Sequence, residues 1–205
     1  MRLAPGMLRL ASAGLLAIVI VLGSSAAMAS AARPFKTGVT VPDVGNQEQL
    51  GYDRIEAAGA SFTRVSALWS AVAPNTEPDN WDPANPADPN YDWQYTDASI
   101  QRAIAAGLTP LVQVFSAPSW AERCKEGRSG ICNPDPEEFA RFSAAAAKRY
   151  SGQFEGLPRV RFWEPWNEPN LYSSFLPQYN GKKKVSPDLY RNLLNRFAGV
   201  IKNVN

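Results

Sequence analysis

A strand-like segment followed by a helix-like one recurs four times along this chain, and that repeat restricts the fold more than any other feature. Residues 36–41 are rich in β-formers and stop at Pro42; 62–68, 108–115 and 159–166 read as three further strands. Helices are expected over 46–58, with Gly59 as the stop, and over 95–106, where Ile100, Ala103, Ile104 and Gly107 recur at helical spacing. A third starts at Asp135 as N-cap, with Pro136 at the first position and Glu137 and Glu138 in the first turn, and buries Phe139, Phe142, Ala146 and Tyr150. Ser186-Pro187-Asp188 is expected to cap a fourth, with Leu189, Leu193, Phe197, Val200 and Ile201 on one stripe. Such alternation implies an α/β fold with a parallel sheet and helices outside it.

The connections are unequal. Helix-to-strand links shrink to residues 59–61 and the single Gly107, whereas strand-to-helix links span 69–94, 116–134 and 167–185. Ligands of α/β folds bind at the C-terminal ends of the strands, the end these long loops occupy, and long loops in a compact domain are usually functional. The first carries Trp81, Tyr91, Trp93, Asp79, Asp82, Asp88 and Asp92. It either stacks on and hydrogen-bonds to a polar ring compound, or is a Pro/Asp-rich surface loop pinned down by its aromatics.

The N-terminus stands apart. Arg2 and Arg9 precede an apolar stretch over 10–22, and Ala27-Met28-Ala29 offers a small-x-small cleavage pattern, so residues 1–29 read as a secretory signal. An uncleaved membrane anchor is the alternative. Without Arg2 and Arg9 the remaining 176 residues hold 19 basic and 19 acidic side chains. That balance points to no nucleic-acid partner, and Lys182-Lys183-Lys184 reads as a solvated loop. In an oxidising compartment Cys124 and Cys132 are expected to form a disulfide worth roughly 2–3 kcal/mol, with a free buried thiol as the alternative. The chain has no histidine, which excludes Ser-His and Cys-His nucleophiles and imidazole-ligated metals. No Gly-rich phosphate loop, Ser elbow or metal-ligand cluster is evident, and no cofactor or metal is expected.

Chemistry concentrates at the fourth strand, Val160-Arg161-Phe162-Trp163-Glu164-Pro165-Trp166-Asn167-Glu168-Pro169-Asn170. Strand alternation would put Phe162, Glu164, Trp166 and Glu168 on one side. A carboxyl there, beside an indole that lowers the local dielectric and an amide able to hold a hydroxyl, suits proton transfer to a polar substrate. Asn167 and Glu168 could instead simply cap backbone groups.

These residues resemble glycoside hydrolase clan A, the retaining β-glycosidases, and within it cellulase-like families such as 5 and 39. The resemblance implies a (β/α)8 TIM barrel of which this chain holds the first four βα units, residues 30–205 forming the N-terminal half of the catalytic domain. It implies that Glu168 is the acid/base and that Asn167 binds the sugar 2-hydroxyl. Arg64, in Phe62-Thr63-Arg64-Val65-Ser66-Ala67-Leu68-Trp69, matches the Arg under the nucleophile of that clan; a structural pair with Glu164 is the other reading, and both can hold. Trp69, Trp120, Trp166 and Tyr172 are candidate sugar-stacking residues, Trp166 first, each also able to serve as core.

Retaining hydrolysis needs two carboxyls about 5 Å apart. The clan's nucleophile ends strand seven, whereas Glu164 sits four residues before Glu168, some ~13 Å along a regular strand, too far to replace it. Four units in 176 residues project to roughly 350 for eight, within the range of such barrels. The chain is therefore expected to be a fragment of an exported hydrolase of a β-linked oligo- or polysaccharide, inactive alone. The alternative is a non-catalytic carbohydrate-binding or interaction protein.

Overall fold

Strands β1 (Gly38–Thr40), β2 (Phe62–Leu68), β3 (Thr109–Phe115) and β4 (Phe162–Pro165) lie side by side in chain order, every pair parallel. The computed structural model describes residues 35–40, 49–124 and 130–204. The expected signal at 1–29, with its cleavage site and membrane alternative, lies outside the described residues, as does the start of the first expected helix. Among the described residues no helix is long and apolar enough to cross a membrane, and the four strands do not close into a barrel.

The sheet has two unlike faces, as period-2 alternation demands. Thr63, Val65 and Ala67 of β2 and Val112 and Val114 of β3 are buried against helices. In-register neighbours fix the other face: Ser66, Gln113 and Glu164 form one row, and Arg64, Leu111 and Phe162 the row below. Strands β1 and β2 approach closely at Gly38, where a Cβ would meet Phe62 Cβ at 3.1 Å.

Helices α1 (Gln49–Ala57), α2 (Trp69–Val72), α3 (Gln94–Ala105), α4 (Pro136–Arg149) and α5 (Ser186–Val204) follow the strands. The core between sheet and helices is aromatic. Phe142 of α4 stacks on Trp69 at 5.7 Å and on Trp93 at 5.5 Å, and Phe139 stacks on Phe197 of α5 at 5.7 Å. Asp97 adds a polar clamp, binding Arg149 through both oxygens, at 2.8 and 2.5 Å, and accepting from the Tyr150 hydroxyl at 2.8 Å. Burial and the Asp97 charge push that hydroxyl's pKa well up.

Two expectations need correction, and one open alternative resolves. The buried stripe of α3 is Thr96, Ser99, Ile100 and Ala103, one turn earlier than the apolar spacing suggested, so Ile104 falls on the flank and stays 39% exposed. Ser186 does not cap α5 with its hydroxyl; it is buried and donates to Gln178 Oε1 at 2.8 Å. The first long loop is pinned to the body. Trp93 and Tyr91 are buried, their polar atoms bonding the carbonyls of Pro86 and Pro83, while Asp82, Asp88 and Asp92 accept from backbone N–H groups of the turns. Such a loop, held by aromatic packing and Asx turns, is the second of its two readings.

Cys124 and Cys132 form the expected disulfide. Beside it, reciprocal backbone bonds join Asn133 N to Leu176 O at 2.6 Å and Leu176 N to Ile131 O at 2.8 Å, tying the loop after β3 to the loop after β4.

Helix α4 begins as its sequence requires. Asp135 Oδ1 accepts from the N–H groups of Glu137 and Glu138 at 2.9 and 3.3 Å, and Oδ2 pairs with Arg123 at 2.8 Å. Burial works to raise the Asp135 carboxyl, but the Arg123 bond and the two N–H donors outweigh it, leaving its pKa below the ordinary carboxylate value. A carboxyl lowered in the folded state stabilises above its unfolded pKa and loses that contribution as pH falls through the folded one. Asp135→Ala should therefore cost about 1–2 kcal/mol in urea unfolding at pH 7, a deficit that shrinks as the pH is taken below about 4.

Candidate active site

The strand ends converge on one buried amide. Gln113, in the middle of β3, is 1% exposed. Its Nε2 donates to Glu164 Oε1 at 3.0 Å, the Trp166 carbonyl at 3.1 Å and Asn167 Oδ1 at 3.3 Å. A carboxylate and a carbonyl can only accept, so the group facing them must be the NH2, and Asn167 in turn must face it with oxygen. The Asn167 side-chain NH2 is thereby left directed away from Gln113, a donor for whatever lies over the strand end.

Beyond β4 the chain abandons strand geometry. The Trp166 N–H donates to the Val114 carbonyl at 2.7 Å, and then Trp166 and Glu168 take left-handed φ values of 66° and 40°. Left-handed backbone costs an ordinary residue about 1–2 kcal/mol and gathers at functional sites. Ser116, just past the end of β3, does the same at φ 63°. All three residues lie at the C-terminal end of the sheet.

This break overturns the expected alternation. Glu164 faces the open side of the sheet, but Trp166 swings into the helix layer, edge-on to Phe139 at 5.7 Å and Phe175 at 5.6 Å, its Nε1 donating to Ser174 O at 2.8 Å. At 1% exposure it is core, so the stacking role does not hold. Trp69, also 1% exposed and stacked on Phe142, is corrected in the same way. Trp120 is half-buried, edge-on to Trp69 at 5.9 Å and Trp81 at 5.6 Å, with Nε1 bonded to Pro74 O at 2.9 Å. Tyr172, 62% exposed, keeps its ring accessible.

Arg64 reaches up one row to Glu164, Nη1 to Oε1 at 3.4 Å, both side chains about one-third exposed. That is the structural pair expected of it. Its Nε is buried without a hydrogen-bond partner among the described residues, an unmet donor on the open side of the sheet. Tyr190 of α5 closes the flank, donating to Pro165 O at 3.2 Å; burial first and the Glu164 charge second raise its pKa.

Glu164 is thus committed to Arg64 and Gln113, whereas Glu168 presents an exposed carboxyl next to an oriented amide. Such a pair can exchange a proton with a bound polar group while a hydroxyl is held beside it. Among the described residues no group of His, Cys, Asp or Glu could hold a metal ion.

No protein-family model and no curated protein sequence matches the chain. Solved structures do match. Endoglucanase Cel5A from the hyperthermophile Thermotoga maritima aligns at TM-score 0.53 and 19% identity, over 83% of this chain and 48% of its own. The chain shares its fold with part of a glycoside hydrolase. A family 39 glycoside hydrolase from the gut symbiont Bacteroides cellulosilyticus WH2 aligns at TM-score 0.52 and 22% identity, covering 84% of this chain and 30% of that one. Fpglu1 from Fervidobacterium pennivoraus gives TM-score 0.55 at 18% identity, over 77% and 39%. The chain thus spans about half the length, or less, of these barrel-type structures.

If Trp166 is core and Tyr172 is surface, urea unfolding should separate them. Trp166→Ala is expected to lose about 3–5 kcal/mol and Tyr172→Ala less than about 0.5 kcal/mol.

Proposed function

We propose that residues 30–205 are the acid/base half of a retaining β-glycan hydrolase, exported by the segment 1–29. Glu168 is the acid/base, Asn167 holds the sugar 2-hydroxyl, and Arg64 lies under a nucleophilic carboxylate that chain outside this sequence supplies. The observation that carries the reading is the Gln113-oriented Asn167 beside the exposed Glu168 at a strained strand end. The unmet Nε of Arg64 supports the rest, because a guanidinium already bonded to one carboxylate keeps a donor for a second. A solved neighbour, Thermotoga maritima Cel5A in complex with cellobiose, aligns at TM-score 0.53 and 20% identity, which favours a β-linked saccharide as the ligand.

In this mechanism the nucleophile attacks the anomeric carbon as the glycosidic C–O bond breaks, and the Glu168 carboxyl passes its proton to the departing oxygen. A glycosyl ester forms. Glu168, now a carboxylate, takes a proton from water, whose oxygen attacks the anomeric carbon and releases the nucleophile. Asn167 orients the ring through both steps.

The test uses the chain extended through its natural reading frame, assayed on an aryl β-cellobioside. Glu168→Gln is expected to lower turnover by about 10²–10⁴-fold with an unchanged unfolding midpoint, and the 205-residue chain alone to bind without turnover. Wild-type rates in Glu168→Gln, or no hydrolysis of any β-linked glycan by the folded extended protein, would remove the assignment.

A further inference from the structure

The loop after β4 returns as a two-stranded ribbon, β5 (Tyr179–Asn180) against β6 (Lys183–Lys184), in which Tyr179 lies directly opposite Lys184. Opposed residues of an antiparallel pair project from the same face with Cβ atoms about 5 Å apart. Both line a cleft of about 370 Å³, together with Pro169, Asn170, Pro187 and Tyr190. Its floor is fixed: Gln178 bonds the carbonyls of Pro169, Leu171 and Phe175 at 3.0, 3.3 and 2.6 Å and accepts from Ser186.

The charge in this cleft is one-sided. Its lining holds a lysine and no carboxylate, and Lys182 and Lys183 precede Lys184 on the same exposed turn. Asp188, the next acid along the chain, is already paired with Arg191 at 2.6 Å. An ammonium opposite a tyrosine that is 53% exposed, with Asn170 on the same lining, fits a ring with an apolar C–H face, hydroxyls and one carboxylate. The volume is at the small end for ligand pockets and suits sugar-sized occupants. Pro169 and Asn170 directly follow Glu168, so the cleft wall continues from the acid/base itself.

We propose that this cleft is a subsite for a hexuronic acid residue of the substrate. Tyr179 stacks on the ring, Lys184 pairs with the carboxylate and Asn170 bonds a hydroxyl. This rests on the acid/base reading of Glu168 for its place in the reaction, but not for its binding chemistry.

Calorimetry with a matched pair of probes tests it: cellotetraose, and the β-1,4-linked glucuronic acid tetramer that differs only in its carboxylates. The full 205-residue chain should bind the uronate at least about fivefold more tightly at low salt, and the preference should fade as salt screens it. Lys184→Gln should erase the preference while leaving cellotetraose affinity unchanged; Tyr179→Ala should weaken both ligands. Both positions are exposed, so folding is not at stake. Equal affinity for the two probes, no binding of either, a preference surviving Lys184→Gln, or equal competition by polyglutamate would overturn the proposal. Glu168→Gln, made in the protein extended through its natural reading frame so that turnover can be read beside binding, separates the two readings. A uronate preference that persists while turnover is also unaffected removes the acid/base assignment and leaves the subsite; loss of turnover without any uronate preference does the reverse.

Discussion

The Gln113 side chain meets three acceptors from one nitrogen, and the arrangement of the strand ends follows from that. A primary amide buried without partners would cost several times what any single surface bond returns, so Glu164, the Trp166 carbonyl and Asn167 must stay where Gln113 can reach them. Holding the Trp166 carbonyl inward while the chain leaves the sheet forces the left-handed turn at that residue. The same turn drives the Trp166 indole into the core between Phe139 and Phe175, where buried aromatic area compensates the strained backbone. Asn167 and Glu168 are then the first residues clear of the packed layers. The site is thus a consequence of how the fourth strand ends.

The open side of the sheet is the complement of that strand end. Parallel sheets are stable when both faces are covered, and here helices cover only one among the described residues. The other presents Phe62 and Phe162, edge-on to each other at 5.1 Å, and Arg64, level with Phe162, which reaches up to Glu164 in the row that also holds Gln113. The sheet stays open on this side among the described residues, and the solved glycosidases align with it over only part of their own length.

Much of this is legible in the residues. Strand β2 runs over 62–68 as read, because β-branched and apolar residues alternate there without interruption, and α4 starts where Asp135, Pro136 and two glutamates say it must. The disulfide joins the two cysteines that the sequence reading paired. Alternation misleads at Trp166, since nothing in Glu164-Pro165-Trp166-Asn167-Glu168 announces a positive φ at a tryptophan, and a regular strand is the only template the residues offer. Gln113 escapes a reading of motifs although it leaves a trace: one polar residue inside the apolar strand Thr109–Phe115, which must find buried partners or not be there. The aromatic loop over 69–94 is ambiguous because stacking on a sugar and stacking on Phe142 call for the same residues. Only the fold decides between them.

The central claim is that this strand end places Glu168 on a glycosidic oxygen. A crystal structure of the extended protein, carrying Glu168→Gln to stop turnover and soaked with a β-linked oligosaccharide, tests it most directly. The account predicts the substituted side chain at position 168 within hydrogen-bond distance of a glycosidic oxygen, with Asn167 Nδ2 on the 2-hydroxyl of the adjoining ring and Gln113 still holding Asn167 Oδ1. A sugar bound with residue 168 remote from every glycosidic oxygen, or with Asn167 turned away from the ring, would contradict it.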